Sequence, residues 1–154
     1  LFLRGPNVMA GYISPNDPGG IEPLEGGWHD TGDIVDVDAE GYITILGRVK
    51  RFAKVGGEMV SLLAVEDMAG AVWPDHRHAA VSVPDSKKGE RLILVTDHEG
   101  AESAQLSVWA RENGAPELAV PKKIIKIAVI PVLGTGKTDY VAIQKLVEEA
   151  LRAV

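Results

Sequence analysis

The sequence predicts an α+β fold: a compact domain over residues 48–154, with a three-stranded sheet covered by helices and an added β-hairpin, preceded by an all-β segment over residues 1–47. Three observations point there. Turn-forming clusters, "SPNDPGG" and "EPLEGG", punctuate the first part, apolar residues recur at helical spacing in three later stretches, and short runs of β-formers alternate with those stretches.

In the first segment, "DIVDVDAEGYITIL" alternates polar and apolar residues on either side of Ala39, Glu40 and Gly41, the pattern of a hairpin with one wet face. The segment holds too few apolar residues to enclose a core, so a partner domain is expected to support it. "RFAKVGGEMVS" reads as a second hairpin. "SLLAVEDMAGAVW" then places Leu62, Val65, Met68, Ala69 and Val72 on one helical face, with Ser61 as the N-cap. "HAAVSV" and "RLILVTD" are strands, separated by the polar loop "PDSKKGE". A helix is expected at "ESAQLSVWARENG", where Gly114 and Pro116 provide the stop. "KKIIKIAVI" is a β run ending at Pro131, and "DYVAIQKLVEEALRAV" closes the chain as a helix with Ile143, Leu146, Val147, Ala150 and Leu151 in one stripe. Trp73 and Trp109 fall at apolar helical positions and are core candidates.

Composition bounds the function. The chain of 154 residues suffices for one ordinary core, or for a small domain carrying part of another. A net charge of −6 argues against general affinity for nucleic acid or anionic membrane. The absence of cysteine excludes disulfides and thiolate metal sites. No apolar run approaches the roughly 20 residues that span a bilayer, so no transmembrane segment is expected. His29, His76, His78 and His98 lack metal-ligand spacing with carboxylates on a shared face, and no metal site is expected. The opening "LFLRGPNVMAGY" starts within a strand-like run without an initiator methionine, which reads as the tail of a longer protein.

"LGTGKTDY" contains Gly136-Lys137-Thr138 and so invites comparison with a phosphate-binding P-loop. That pattern needs a glycine five residues before the Gly-Lys pair, where this chain has Pro131. Proline offers no N–H and fixes φ, so the nest of donors cannot form.

Taken together and in order, "GWHDTGD", "GRVKRFAKVGGEMVS" and "LGTGKTDY" resemble the C-terminal motifs of the acyl-adenylate-forming enzymes, the AMP-binding superfamily of acyl-CoA synthetases, luciferases and peptide-synthetase adenylation domains. "GPNVMAGY" resembles the motif at the end of that family's large N-terminal domain. A closer resemblance, carried by "GRVKRFAKVGGEMVSL", "ARENGAPELAVPKKI" and "LGTGKTDY", is to the bacterial acyl-[acyl-carrier-protein] synthetase/2-acylglycerophosphoethanolamine acyltransferase subfamily. It implies activation of a fatty acid with ATP and Mg, transfer to the phosphopantetheine of acyl carrier protein, and lysophospholipid reacylation by a separate upstream domain. It also implies a cytoplasmic parent at the inner face of the bacterial membrane, and a missing N-terminal AMP-binding domain without which residues 1–154 are inactive.

The resemblance assigns roles residue by residue. Asp33 and Arg48 contact the ATP/AMP ribose, where a carboxylate can accept from both vicinal hydroxyls; locally, Asp33 also fits a turn cap and Arg48 an exposed linker residue. Lys137 is the catalytic lysine, an ammonium placed between the attacking carboxylate and the α-phosphate; a glycine-rich loop lysine is otherwise simply solvated. Lys50 occupies the hinge near residues 48–51, although Lys50-Arg51 replaces a common acidic pair and Ala53 a larger apolar residue. Gly56 and Gly57 border the pantetheine channel, or else form only a tight β-turn. Basic clusters at Arg48, Lys50, Arg51 and Lys54, at Lys87-Lys88 and at Lys122-Lys123 offer a rim that could steer an acidic carrier protein. The readings held against this one are the tail of an acyl-CoA synthetase, which uses CoA, and a non-catalytic interaction module of the same fold.

Overall fold

Alternation builds antiparallel pairs in the first fifty residues. In the computed structural model, which describes residues 1–152, β1 (Phe2–Leu3) pairs with β4 (His29–Asp30), and β2 (Gly11–Ser14) with β3 (Asp17–Pro23). β5 (Asp33–Val37) pairs with β6 (Ile43–Arg48), with a register shift between Ile34 and Val35. The domain expected to reach residue 154 includes Ala153 and Val154, which lie outside the described residues. The chain divides into two compact units, Leu1–Lys50 and Arg51–Val154, three residues beyond the division at 47/48 drawn from sequence.

The first unit has no core of its own. Gly47 is its sole buried residue, while Tyr12, Ile13, Ile21, Trp28, Tyr42 and Ile45 are exposed. Strand pairs with one apolar face need something to cover that face, and these six side chains have no cover within the unit.

The second unit is a three-layer α+β structure. β7 (Phe52–Val55) and β8 (Glu58–Ser61) form the expected hairpin. Ser61 then caps α1 (Leu62–Val72), its hydroxyl accepting from the Ala64 N–H at 3.3 Å. β9 (His78–Asp85) and β10 (Gly89–Thr96) pair antiparallel along their whole length, from Asp85 opposite Gly89 to His78 opposite Thr96. The Asp85 carboxylate accepts from the N–H groups of Lys87 and Lys88, each at 2.9 Å, which closes their loop and holds that carboxyl below its usual range. α2 (Ser103–Glu112) carries the chain back to β11 (Lys123–Lys126), which joins β10 in parallel, and α3 (Tyr140–Arg152) ends the described fold. The hairpin meets the three-stranded sheet where Val55 pairs with Gly89.

β10 is buried on both sides, which is why "RLILVTD" reads as a nearly continuous apolar run. Leu92 and Leu94 face a cluster with Val65, Met68 and Ala69 of α1 and Leu106 and Ala110 of α2. Ile93 and Val95 face the opposite cluster, with Val81 and Val83 of β9 and Ile143 and Val147 of α3. Trp73 is buried in the first cluster and Trp109 packs against it half-buried.

The strand expected over 122–130 is shorter, ending at Lys126. Its partner runs out: β10 ends at Thr96, whose carbonyl takes the Ile127 N–H at 2.9 Å, so residues 128–130 have no ladder to join. Ile130 is buried instead against the α3 face of the sheet.

Candidate functional site

Asp33 begins β5 directly opposite Arg48, which ends β6. Residues facing each other across an antiparallel ladder share a side of the sheet, and Arg48 Nε lies 3.0 Å from Asp33 Oδ1. The pair is uneven, with the Asp33 side chain 16% exposed and that of Arg48 69% exposed. The turn leading into β5 is closed by other residues. Asp30 Oδ1 accepts from the Gly32 N–H at 2.9 Å, and Thr31 Oγ1 accepts from the Asp33 N–H at 3.1 Å. Asp33 is therefore not the cap of its turn. Among the described residues its carboxylate meets one arginine nitrogen and retains acceptor capacity, since an ionised carboxylate offers about four lone-pair sites.

Lys50 is exposed in the 3₁₀ turn Val49–Arg51 and is the last residue of the first unit. The Val49 N–H donates to the Gly32 carbonyl at 2.8 Å, tying this turn to the one that presents Asp33.

Lys137 is exposed on a closed loop. The Leu133 N–H donates to the Lys137 carbonyl and the Gly136 N–H to the Leu133 carbonyl, each at 2.8 Å, while Val132 bridges to Thr138. At the loop's base the Asp139 N–H reaches the Pro131 carbonyl at 2.9 Å. Asp139 then caps α3, its Oδ1 accepting from Val141 and Ala142 N–H at 3.1 and 3.0 Å. Gly136 has φ 81°, a left-handed conformation that the tight loop needs, whereas Gly134 does not.

Gly56 and Gly57, with φ of 62° and 92°, form the two-residue turn between β7 and β8, and left-handed values at both positions are those of a type I′ hairpin. The turn adjoins a cavity of about 590 Å³ lined by Val55, Leu92 and Leu118, with Lys88, Arg91, Lys122 and Lys123 among its polar residues. Gly56 donates its N–H to the Lys88 carbonyl at 2.8 Å.

The cluster of Arg48, Lys50, Arg51 and Lys54 is less free than its charge count implies. Arg48 is paired with Asp33, and Arg51 is drawn inward to Glu66, Nη2 to Oε1 2.7 Å, with the two side chains only 18% and 12% exposed. Glu66 also accepts from the Ala80 N–H at 2.8 Å and, through Oε2, from the Tyr140 hydroxyl at 3.1 Å. The Arg51 guanidinium lies 3.6 Å from the centre of the Tyr140 ring. Reasoning from sequence missed this network. Its signal was available: Glu66 sits four residues after Leu62 and three before Ala69, an acid on the apolar face of α1.

The histidines of "HRH" are used in packing. His76 Nδ1 lies 3.0 Å from Asp97 Oδ1 and its ring stacks on His98 at 4.2 Å. His78 meets the Thr96 hydroxyl and the Trp73 carbonyl. No group of three or more histidine, aspartate or glutamate side chains able to hold a metal ion occurs among the described residues. No helix among them is long and apolar enough to cross a membrane.

No family model matches the chain. It is 32% identical over 155 residues to the 2,3-dihydroxybenzoate-AMP ligase of Bacillus subtilis, which covers 99% of this chain and 29% of the relative. Among solved structures it resembles the amide bond synthetase McbA from Marinactinospora thermotolerans, with a TM-score of 0.74 at 28% identity over 94% of this chain and 30% of that one. It also resembles the o-succinylbenzoate CoA synthetase MenE of Bacillus subtilis in complex with its acyl-adenylate intermediate, with a TM-score of 0.73 at 26% identity over 89% of this chain and 28% of that one. These relatives and structural neighbours, AMP- and CoA-ligases and an amide bond synthetase, are adenylate-forming enzymes, and the α+β unit has the fold of their C-terminal domain. The chain spans under a third of the length of these relatives.

Proposed function

We propose that this chain is the C-terminal portion of an ATP-dependent ligase that converts a carboxylic acid and ATP to an acyl-adenylate and pyrophosphate, then passes the acyl group to a thiol with release of AMP. The supporting observation is the register of β5 on β6, which brings Asp33 and Arg48, far apart in sequence, to 3.0 Å in a pair with acceptor capacity to spare. In this reading Asp33 and Arg48 both contact the ribose, and Arg48 also orients the Asp33 carboxylate. Lys137, exposed on its loop, brings an ammonium between the attacking carboxylate and the α-phosphate, where negative charge accumulates in the transition state. Lys50 is the hinge between residues 1–47, the last piece of a large AMP-binding domain, and the mobile domain beginning at residue 48. Mg accompanies ATP in the whole enzyme and neutralises phosphate charge; no residue of this chain is assigned to it.

The finer proposal concerns the substrates. The acid is a fatty acid, the acceptor is the phosphopantetheine of acyl carrier protein, and the product serves 2-acylglycerophosphoethanolamine reacylation by a further domain at the cytoplasmic face of the bacterial membrane. Two things support it: the resemblance of the quoted stretches to that subfamily, and a net basic rim on the cavity beside Gly56 and Gly57, where Lys88, Arg91, Lys122 and Lys123 outnumber Asp85 and Glu117, the latter paired with Lys122 at 3.5 Å.

The test uses the full-length protein. Lys137→Ala is expected to lower ATP–pyrophosphate exchange by about 10² or more, the scale for removing one transition-state charge contact. Unaltered exchange would reject the catalytic role and leave an interaction module. Thioester formation with carrier protein, compared with CoA, decides the acceptor.

A further inference from the structure

We infer that Arg51, Glu66 and Tyr140 are positioning residues for Lys137, a clamp that fixes the lysine loop to the first residue of the second unit; this rests on the role proposed for Lys137. The geometry has three parts. Glu66, on α1, takes a charged hydrogen bond from Arg51, a backbone one from β9 at Ala80 and a phenolic one from Tyr140, so a single carboxylate joins three elements. Arg51 closes the triangle by lying 3.6 Å from the Tyr140 ring centre and donating Nη1 to the Ala80 carbonyl at 3.3 Å. Tyr140 opens α3 immediately after the Asp139 cap and three residues beyond Lys137, at the foot of a loop whose own hydrogen bonds make it a stiff unit. Burial, and then the Glu66 carboxylate, raise the Tyr140 hydroxyl above its ordinary value of 10.0, so it remains a donor at neutral pH.

Exposed lysines on glycine-containing loops sample many positions, and a reacting group displaced by about 1 Å can lose 10² in rate. A clamp at the loop's foot restricts that sampling. Because Arg51 directly follows Lys50, any turn of the chain at residue 50 carries the clamp, and the lysine with it, as one body.

The test is made in the full-length enzyme with Tyr140→Phe, which keeps the ring under Arg51 and removes only the hydroxyl, and with Glu66→Gln and Arg51→Lys. Two half-reactions are measured separately: ATP–pyrophosphate exchange, and acyl transfer from preformed acyl-adenylate. Tyr140→Phe is expected to lower kcat for exchange by about tenfold, with KM for ATP and acid, the transfer rate and the melting temperature little changed, while Glu66→Gln and Arg51→Lys, which disturb a largely buried ion pair, lower exchange at least as far and the melting temperature as well. In a Lys137→Ala background, Tyr140→Phe is expected to remove nothing further. Wild-type exchange in all three variants, beside a Lys137→Ala enzyme that has lost it, overturns the clamp and leaves the proposed function standing. In Tyr140→Phe, exchange and transfer falling together with the melting temperature overturns it too, by reducing the network to fold support. If Lys137→Ala itself leaves exchange intact, the functional reading fails and the clamp with it.

Discussion

Replacing Asp33 separates the proposed binding role from a structural one, because the two carry very different magnitudes. The ion pair it makes is with an arginine 69% exposed, and exposed pairs contribute about 0–1 kcal/mol. The turn before it is closed by Asp30 and Thr31, whose bonds survive the change. Asp33→Ala should therefore cost the fold at most about 1 kcal/mol. The proposed ribose contact is larger: hydrogen bonds to a charged group are worth about 1.5–3 kcal/mol each, and two hydroxyls give about 3–6 kcal/mol, or about 10²–10⁴ in affinity. The assay is the KM for ATP in pyrophosphate exchange by the full-length enzyme, with thermal unfolding in parallel. Asp33→Asn, which keeps one carbonyl acceptor, should fall between wild type and alanine. An unchanged KM in the alanine variant refutes the ribose assignment, and a raised KM matched by a large loss of melting temperature refutes the separation of roles.

Other expectations follow from burial and backbone. Leu94→Ala, at a fully buried position facing α1 and α2, should destabilise the second unit by about 2–5 kcal/mol in urea unfolding. Gly57→Ala, at φ 92° with no neighbour within 4 Å, should cost about 1–2 kcal/mol through backbone strain alone, which thermal unfolding reads directly. Burial holds His78 below its ordinary value of 6.5 against the opposing pull of its bond to the Trp73 carbonyl. Its neutral form thus contributes stability that is complete above about pH 6.5 and declines as pH falls through the lower folded value. His78→Gln should flatten the unfolding profile in that acid window.

Legibility differed by element for physical reasons. The buried face of α1 was readable because Leu62, Val65, Met68 and Ala69 recur at the helical period. The missing core expected for residues 1–47 is found, but not for want of apolar residues: side chains such as Ile13, Trp28, Tyr42 and Ile45 are there and lie exposed. The end of β11 was not readable, because Val129 and Ile130 are as good β-formers as Ile124 and Ile125 and only the end of β10 stops the ladder. The Asp33–Arg48 contact depends on a register interrupted between Ile34 and Val35, which local pattern does not carry. Arg51 was misplaced among solvated charges because its partner Glu66 is fifteen residues away on another element.

The two-sided burial of β10 has a bearing on synthesis of the protein. α3 emerges from the ribosome after every strand it covers, and until it docks, Ala79, Val81, Val83, Ile93 and Val95 present an uncovered apolar plane to chaperones and proteases. A chain cut ahead of Tyr140 leaves that plane bare, so the last helix decides whether the finished sheet stays in solution or sticks to its neighbours.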